Sequence, residues 1–266
     1  MEPQGQGRAN ASNPFWAAEV AKRYADGRPY HHRRTVERCL TLVGTSCDGL
    51  ALDVACGTGL STRALAELGF RVVGVDLTPA MVAVAHQQEE QPFAVAAAEV
   101  LPVRDGSVSL VTVSSGFHWF DGPRFRAEAA RVLAPGGTLL VYEHAGVGFA
   151  NDSRFAAWTR DVYLARYPSP PTPAPFLAVV DAAKGLTKVA TDAWEDTVAF
   201  SHEELVAYLL TQGNVSVPID ALEVSVDEAR QWLRTETAQF FEGSNERDYS
   251  FLVMADVFVA DGGAAT

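Results

Sequence analysis

Short apolar segments rich in valine and leucine alternate with helical segments along residues 48–145. Such apolar runs are typical of strands buried on both faces of a sheet. Between them, apolar residues recur at the three- to four-residue spacing of an amphipathic helix. This alternation predicts an α/β protein with a mostly parallel sheet and right-handed crossover helices. The predicted strands are residues 50–55, 71–77, 93–99, 108–115 and 138–144.

Local signals place the ends of two of the intervening helices. Thr78 and Pro79 form a favourable N-cap and first-turn pair for the helix that follows the second strand. The helical segment after the fourth strand, PRFRAEAARVL, is predicted to end at Pro135, Gly136 and Gly137. Because ligands in parallel sheets bind outside the carboxyl ends of the strands, the residues directly after each strand are candidate site residues.

The flanking regions are predicted to be largely helical. Residues 14–43 read as two helices joined by YADGRPYHH, where His31, His32, Arg33 and Arg34 are interpreted as a solvated helix face. Residues 150–266 read as helices, an ordered loop PSPPTPAPF, a strand near 190–199, helices near 201–212 and 226–241, and a last strand at 249–260. These patterns divide the chain into residues 1–45, 46–148 and 149–266, with the last two parts forming one domain.

Composition narrows the class of protein. The chain has 266 residues, 48% of them hydrophobic, and a formal net charge of −12, which argues against a nucleic acid as the main partner. No apolar run is long enough for a membrane span, and the first residues lack the features of a secretory signal. Three cysteines show neither metal-type spacing nor an even set for disulfides. We therefore expect a cytoplasmic protein without a metal site or a membrane partner.

The segment DVACGTG, residues 53–59, ends the first strand and opens a helix whose N-terminus suits an anion. Asp76 ends the second strand 17 residues after Gly59, where a carboxylate can bind both hydroxyls of a ribose. Nicotinamide and flavin sites usually have a third glycine or an alanine where this chain has Thr62. No lysine–serine or lysine–threonine pair follows the glycines, which excludes a nucleoside-triphosphate loop. The pattern predicts an adenosine-containing ligand.

Two histidines follow predicted strands at the same edge of the sheet. His118 lies in FHWFD, after the fourth strand, and could accept a proton from a nucleophile, bind a substrate carboxylate or fix its own loop. His144, beside Glu143, closes the fifth strand, and could contact the substrate or be structural. In the N-terminal segment, Arg28 could bind a carboxylate or anchor the segment by a surface ion pair.

Four segments together resemble the class I S-adenosylmethionine-dependent methyltransferases with a methyltransferase type 11 domain. They are LDVACGTGLST, VVGVDLTPAM, AAAEVLPVRDGSVSLVTVSSGFHWFD and ARVLAPGG. FHWFD and YADGRPY look most like the trans-aconitate methyltransferase branch. The resemblance implies a Rossmann-like three-layer sandwich with a mostly parallel seven-stranded sheet, an antiparallel last strand and helical lid elements. Residues 1–45 would form the lid, 46–148 the cofactor-binding core and 149–266 the substrate-binding helices and final strands.

The resemblance also assigns roles to residues. Asp53 would support the glycine turn, and Asp76 would bind the ribose. An aspartate that often binds the adenine amino group in this family is replaced by Ala97 here, so the adenine would be bound by backbone groups of Ala98 and Glu99. His118 and His144 are the candidate catalytic residues. The remaining candidates for cofactor binding are Tyr24, Arg28, Ala55, Gly57, Gly59, Leu77, Met81, Ala98, Glu99, Ser114 and Ser115.

The sequence thus predicts methyl transfer from S-adenosylmethionine to oxygen, nitrogen or carbon of a small molecule. Aromatic residues in 150–250 favour an apolar or aromatic substrate, and few cationic residues there argue against trans-aconitate itself. The predicted aromatic wall comprises Phe155, Trp158, Tyr163, Phe176, Tyr208, Phe240 and Phe241.

A different function on the same fold is also compatible with the sequence. The main competing hypothesis is a protein that binds this cofactor for pericyclic, decarboxylative or regulatory purposes. A nicotinamide-dependent oxidoreductase is disfavoured by Thr62, and a modifier of nucleic acid or protein is disfavoured by the net charge of −12. We expect a monomer or homodimer.

Overall fold

The computed structural model describes residues 15–44, 49–150, 152–169 and 184–262. Its centre is a seven-stranded sheet with the order β3-β2-β1-β4-β5-β7-β6. The strands are β1 (Leu50–Val54), β2 (Arg71–Asp76), β3 (Phe93–Val95), β4 (Val108–Ser114), β5 (Leu133–Phe149), β6 (Leu186–Ser201) and β7 (Glu246–Ala260).

The first five strands pair in parallel, and β7 pairs antiparallel with β5 on one side and with β6 on the other. β1 lies between β2 and β4, so the strand order reverses at β1. This reversal places the β1 carboxyl end at the crevice where ligands bind in open α/β sheets. The predicted mostly parallel sheet with an antiparallel last strand is confirmed.

Helices cover both faces of the sheet. On one face α2 and α3 pack on the sheet through Val36, Cys39 and Leu65, and on the other α5 packs through Phe125 and Ala129. The predicted three layers are therefore present. The helices are α1 (Ala18–Gly27), α2 (His32–Val43), α3 (Leu60–Glu67), α4 (Pro79–Gln88), α5 (Gly122–Val132), α6 (Ser153–Trp158), α7 (Leu164–Arg166), α8 (His202–Leu210), α9 (Gly213–Asp220) and α10 (Val226–Thr237).

Helices α6–α10, here called the cap, pack around a core of aromatic side chains at the extended ends of β5 and β7. Residues 15–44, here called the lid, contain α1 and α2. Helix α1 lies against the cap, and α2 lies against the sheet. Of the predicted aromatic wall, the structure buries six residues in the cap core, and Phe176 lies outside the described residues. Among these six, Tyr208 also lines the cleft described below. The six core residues are Phe155, Trp158, Tyr163, Tyr208, Phe240 and Phe241.

Two predicted strand boundaries were wrong. The third strand ends at Val95 rather than at residue 99. The fifth strand is longer than predicted because its pairing with β7 continues to Phe149. The helix predicted for PRFRAEAARVL is confirmed as α5, and Pro135–Gly137 after it lie inside β5 near a shift in its register with β4. Most of the proline-rich segment predicted as an ordered loop lies outside the described residues.

Within the described ranges, no helix has the length and apolar character required to cross a membrane. The same residues contain no group of three or more histidine, cysteine or acidic side chains arranged to hold a metal ion.

Candidate functional site

The glycine turn connects β1 to α3 at the carboxyl edge of the sheet. Three of its residues have a left-handed backbone: Ala55 (φ 56°), Gly57 (φ 55°) and Gly59 (φ 95°). A Cβ at Gly59 would lie 3.0 Å from the Phe93 ring, so Gly59 allows close packing of the turn on β3. A Cβ at Gly57 would meet no atom within 4 Å, so the backbone there borders open space.

Asp53 holds this turn from beneath. Its fully buried carboxylate accepts hydrogen bonds from Ser61 (2.6 Å) and Thr62 (2.7 Å) at the start of α3, and from Thr112 of β4 (2.8 Å). Burial raises the pKa of Asp53, and the three hydroxyl bonds oppose that rise. Thr62, which replaces the third glycine of a dinucleotide turn, therefore binds the carboxylate that ties α3 to β1.

Asp76 lies beside the glycine turn, at the end of β2. One carboxylate oxygen accepts the Gly57 N–H (2.9 Å) and the other accepts the Thr78 N–H (2.8 Å). Burial raises the pKa of Asp76, and these two backbone hydrogen bonds lower it. The carboxylate thus joins the turn to the start of α4, on the side where the open space at Gly57 begins.

The turn, the ends of β4 and β5, the lid and the cap enclose one cleft. It brings together seven of the predicted site residues, whereas Asp53, Gly59 and Asp76 lie beneath or beside it. The cleft is lined by Tyr24, Arg28, Pro29, His31, His32, Ala55, Cys56, Gly57, Thr58, Leu60, Ser61, Ser114, Ser115, His144, Tyr208 and Phe251.

The remaining predicted residues lie outside this lining. Leu77 is 43% exposed, which is unusual for a leucine directly after a buried strand, whereas Met81 and Ala98 are buried. A carboxylate oxygen of Glu99 accepts the N–H of Asp121 (2.8 Å). His118 lies on the 3₁₀ turn after β4 and does not line the cleft.

The lid closes the cleft through contacts with the cap. Arg23 of α1 binds Asp220 of α9 at 3.1 Å. The Arg28 guanidinium lies 4.6 Å from the Tyr24 ring centre and 5.5 Å from that of Tyr208, and donates to the Thr211 carbonyl (3.3 Å). Arg28 therefore adds a positive charge to the cleft.

Three histidines meet in the cleft, two of which the sequence interpretation placed on a solvated helix face. That interpretation holds for the exposed Arg33 and Arg34 but was wrong for His31, which is 7% exposed, and for the half-buried His32. The His31 ring stacks on His144 with 3.7 Å between ring centres and 18° between their planes. The sequence signal for this burial is weak, since only the position of His31 four residues before the buried Thr35 indicates an inward face.

Burial keeps these imidazoles neutral. It lowers the pKa of His31 and of His144 well below the usual value of 6.5, and lowers that of His32 to about 3. The neighbouring Arg28 charge acts in the same direction on all three. Near neutral pH each ring therefore offers one N–H donor and one acceptor nitrogen to its surroundings.

We expect the His144→Gln variant to lose less stability in acid than the unmodified protein. The unfolded chain binds a proton at His144 as the pH falls through 6.5, whereas the folded chain does not, so the folded state is disfavoured in acid. Between pH 7.5 and 5.5 this difference amounts to about 1.4 kcal/mol for one histidine. Urea unfolding at both pH values measures it, and an equal loss in the two proteins would contradict a neutral buried His144.

His118 and Glu143 form a second buried pair behind the cleft. Nδ1 of His118 lies 3.6 Å from a carboxylate oxygen of Glu143, and both side chains are less than a tenth exposed. Burial raises the pKa of Glu143, and His118 lowers it. Because side chains alternate along β5, Glu143 faces His118 while the adjacent His144 faces the cleft. Nε2 of His144 lies 3.0 Å from Thr35 Oγ1.

Comparisons with known proteins agree with this geometry. A family model described as a methyltransferase domain matches residues 52–141. A methyltransferase of Mycobacterium tuberculosis is 38% identical over 157 residues, which are 58% of this chain and 59% of the relative. A malonyl-[acyl-carrier protein] O-methyltransferase of Hahella chejuensis is 38% identical over 110 residues, 39% of each chain. This chain thus spans between about two fifths and three fifths of the length of these relatives.

A solved structure described as a type II methyltransferase of Anaeromyxobacter dehalogenans shares the fold. It has a TM-score of 0.66 and 24% identity, and the match covers 88% of this chain and 97% of the other. The trans-aconitate branch suggested by FHWFD stays a prediction. The matched domain, the reversal of strand order at β1 and the acid beside the glycine turn agree, and residues 52–141 of this chain are similar to the methyltransferase domain.

Proposed function

We propose that this protein transfers a methyl group from S-adenosylmethionine to a small molecule held in the cleft. The observation that carries the proposal is the open space over Gly57, bordered by Asp76, a helix N-terminus and the polar ends of β4. These groups match a ligand with a ribose at one end and an amino acid at the other, because a carboxylate accepts from ribose hydroxyls and backbone N–H groups bind a carboxylate.

In this proposal the predicted cofactor-binding residues contact different parts of S-adenosylmethionine. Asp76 binds the ribose, while Ala55, Gly57 and Gly59 shape the turn along the methionine part. The exposed Leu77 and the buried Met81 pack at the adenine, next to the backbone of Ala98 and Glu99. On the other side, Ser114 and Ser115 lie near the sulfonium and amino group. Tyr24 and Arg28 of the lid bind the carboxylate, and Asp53 supports the turn.

The cofactor supplies an electrophilic methyl group, and the protein positions the nucleophile in line with it. Such positioning can lower a barrier by up to about 7–11 kcal/mol. His144 lines the cleft and contacts the acceptor in this proposal. The buried His118–Glu143 pair is the second candidate for holding a proton, although it lies outside the cleft lining. The buried rings of Tyr208 and Phe251 support an aromatic acceptor.

The same proposal assigns the parts of the chain. Residues 1–45 form the lid, residues 46–148 bind the cofactor, and residues 149–266 supply the cap and final strands of the same domain. The described cysteines support a cytoplasmic location, since Cys39 and Cys56 are unpaired thiols.

The direct test combines cofactor binding with a search for the product. Calorimetry should show binding of S-adenosylhomocysteine and none of NAD. A metabolite extract incubated with protein and methyl-labelled S-adenosylmethionine should gain a labelled compound that is one methylene unit heavier than its precursor. Binding without label transfer would favour a non-methylating protein of this fold. Binding of NAD alone would favour the oxidoreductase.

A matched pair of glycine variants tests the placement of the cofactor. Gly57 and Gly106 have similar left-handed backbones (φ 55° and 60°), and a Cβ would meet no atom within 4 Å at either position. Each change to alanine should therefore cost about 1–2 kcal/mol of stability. Only Gly57 lines the cleft, so Gly57→Ala should weaken S-adenosylhomocysteine binding at least about tenfold, while Gly106→Ala leaves it unchanged. Equal affinities would refute the placement.

A further inference from the structure

The stacked rings of His31 and His144 form a polar surface that the cofactor roles leave unused. His31 belongs to the lid and His144 to β5, so the pair exists only when the lid lies on the sheet. Both side chains are 7% exposed and both line the cleft. Phe251 meets the edge of the His31 ring at 4.9 Å between ring centres.

Each of these two rings has one nitrogen without a hydrogen-bond partner. Nδ1 of His31 and Nδ1 of His144 are both buried and unpaired. A buried polar atom left in this state costs free energy, so such atoms in a cleft indicate a ligand that pairs with them. Thr35 contacts Nε2 of His144, so Nδ1 is the ring nitrogen left for a ligand. Its buried hydroxyl can donate to Nε2 of His144, which leaves Nδ1–H as a donor for the ligand.

The charges of the side chains that line the cleft favour some acceptor types over others. Among the described residues that line it, none is acidic and Arg28 is the single formal charge, in a protein with a net charge of −12. In the proposed function the Arg28 charge is balanced by the cofactor carboxylate. An amine acceptor in its ammonium form would meet no carboxylate among the described lining residues, whereas an anionic oxygen would be stabilised by the imidazole N–H groups.

The shape of the cleft favours a flat acceptor. The rings of Tyr24, Tyr208 and Phe251 lie around the two imidazoles. Aromatic side chains pack on a planar ligand by offset stacking or edge contacts. A conjugated ring that carries an acidic hydroxyl would place its apolar faces against these rings and its oxygen at the histidine pair.

We propose that His31 and His144 form an oxyanion subsite for the acceptor, and that the acceptor is a phenol or enol that reacts as its oxyanion. This inference rests on the proposed methyl transfer. The hydroxyl proton leaves to solvent water before the transfer. An oxygen lone pair then forms the O–CH₃ bond while the bond between methyl carbon and sulfur breaks, and its electron pair remains on sulfur. His31 is an acceptor-binding residue of the lid, so the subsite is complete only when the lid is closed.

The probe for this subsite is 4-nitrophenol, whose oxyanion is detected by its visible absorbance. In protein saturated with S-adenosylhomocysteine, the bound phenol should have a pKa at least about one unit lower than in solution, which is tenfold tighter binding of the oxyanion than of the phenol. The methyl ether 4-nitroanisole and the cation 4-nitrobenzylamine should each bind at least about tenfold more weakly than the oxyanion.

Two variants separate the subsite from general electrostatics. His31→Phe keeps a flat ring in the stack but removes both nitrogens, so it should abolish the pKa shift while S-adenosylhomocysteine affinity stays within about twofold. Arg33→Gln removes an exposed charge from α2, which begins directly after His31, and should leave the shift intact. Equal binding of ether and oxyanion, absence of oxyanion binding, preference for the amine, or a shift retained in His31→Phe would each overturn the inference. Failure of S-adenosylhomocysteine to bind would instead refute the proposed function.

Discussion

The Asp76→Ala variant is expected to bind S-adenosylhomocysteine about 100-fold more weakly than the unmodified protein. Asp76 has two tasks in the proposed site. Its carboxylate accepts the N–H groups of Gly57 and Thr78, which fixes the turn, and it would accept the ribose hydroxyls. Hydrogen bonds to a charged group contribute about 1.5–3 kcal/mol each, and a 100-fold loss corresponds to about 2.7 kcal/mol.

Calorimetry of S-adenosylhomocysteine binding measures this loss. Asp105→Ala is the matched control, because it removes a carboxylate whose side chain is 80% exposed and pairs with Arg131 on the surface. The control should bind the cofactor product with unchanged affinity. Unchanged affinity in Asp76→Ala itself would mean that the ribose lies elsewhere, even if the fold is intact.

Replacement of Asp53 by alanine should act on stability rather than directly on binding. The change leaves three hydroxyls, on Ser61, Thr62 and Thr112, without the acceptor that they share. At about 1–3 kcal/mol for each buried unpaired group, the loss should be about 3 kcal/mol or more. For a chain of this size, such a loss lowers the midpoint of thermal unfolding by roughly 6–12 °C.

The Asp53→Asn variant separates the contribution of the hydrogen bonds of Asp53 from that of its charge. Asparagine keeps one oxygen acceptor at nearly the same position and removes the buried charge, so its loss of stability should be clearly smaller than that of Asp53→Ala. Thermal and urea unfolding of both variants measure the difference. If both lose stability equally, the three hydroxyl bonds contribute little, and the contribution of Asp53 lies in its charge.

The part of the fold that the sequence predicts best is the part fixed by local pattern. Alternating strands and helices place Asp76 and the glycine turn at one sheet edge, because parallel strands end on the same side. Thr62 shows the limit of this reasoning. Its departure from the dinucleotide pattern disfavours a nicotinamide ligand by analogy, but the hydrogen bond from Thr62 to Asp53 depends on how α3 packs on β1 and is not visible in the sequence.

Long-range packing decides the features that the sequence did not predict. His31 follows a turn and precedes two exposed arginines, so its neighbourhood in the sequence gives only a weak indication of burial. It is buried because the lid folds across the end of β5, more than a hundred residues away along the chain. The extra length of β5 likewise comes from its pairing with β7. Five of the seven aromatic residues predicted to form a substrate wall fill the cap core and do not line the cleft, since periodicity does not distinguish a cleft wall from an interior.

The extension of β5 and β7 past the sheet edge has a mechanical consequence. Their backbone hydrogen bonds run from the cofactor half into the cap core, so the cap is joined to the sheet by a stiff ribbon instead of a hinge. The lid is joined to the cap through side chains such as Arg23 with Asp220. These contacts break far more easily than a paired ribbon. Entry and exit of small molecules should therefore follow movement of the lid, and the rate of that movement would set an upper limit on turnover.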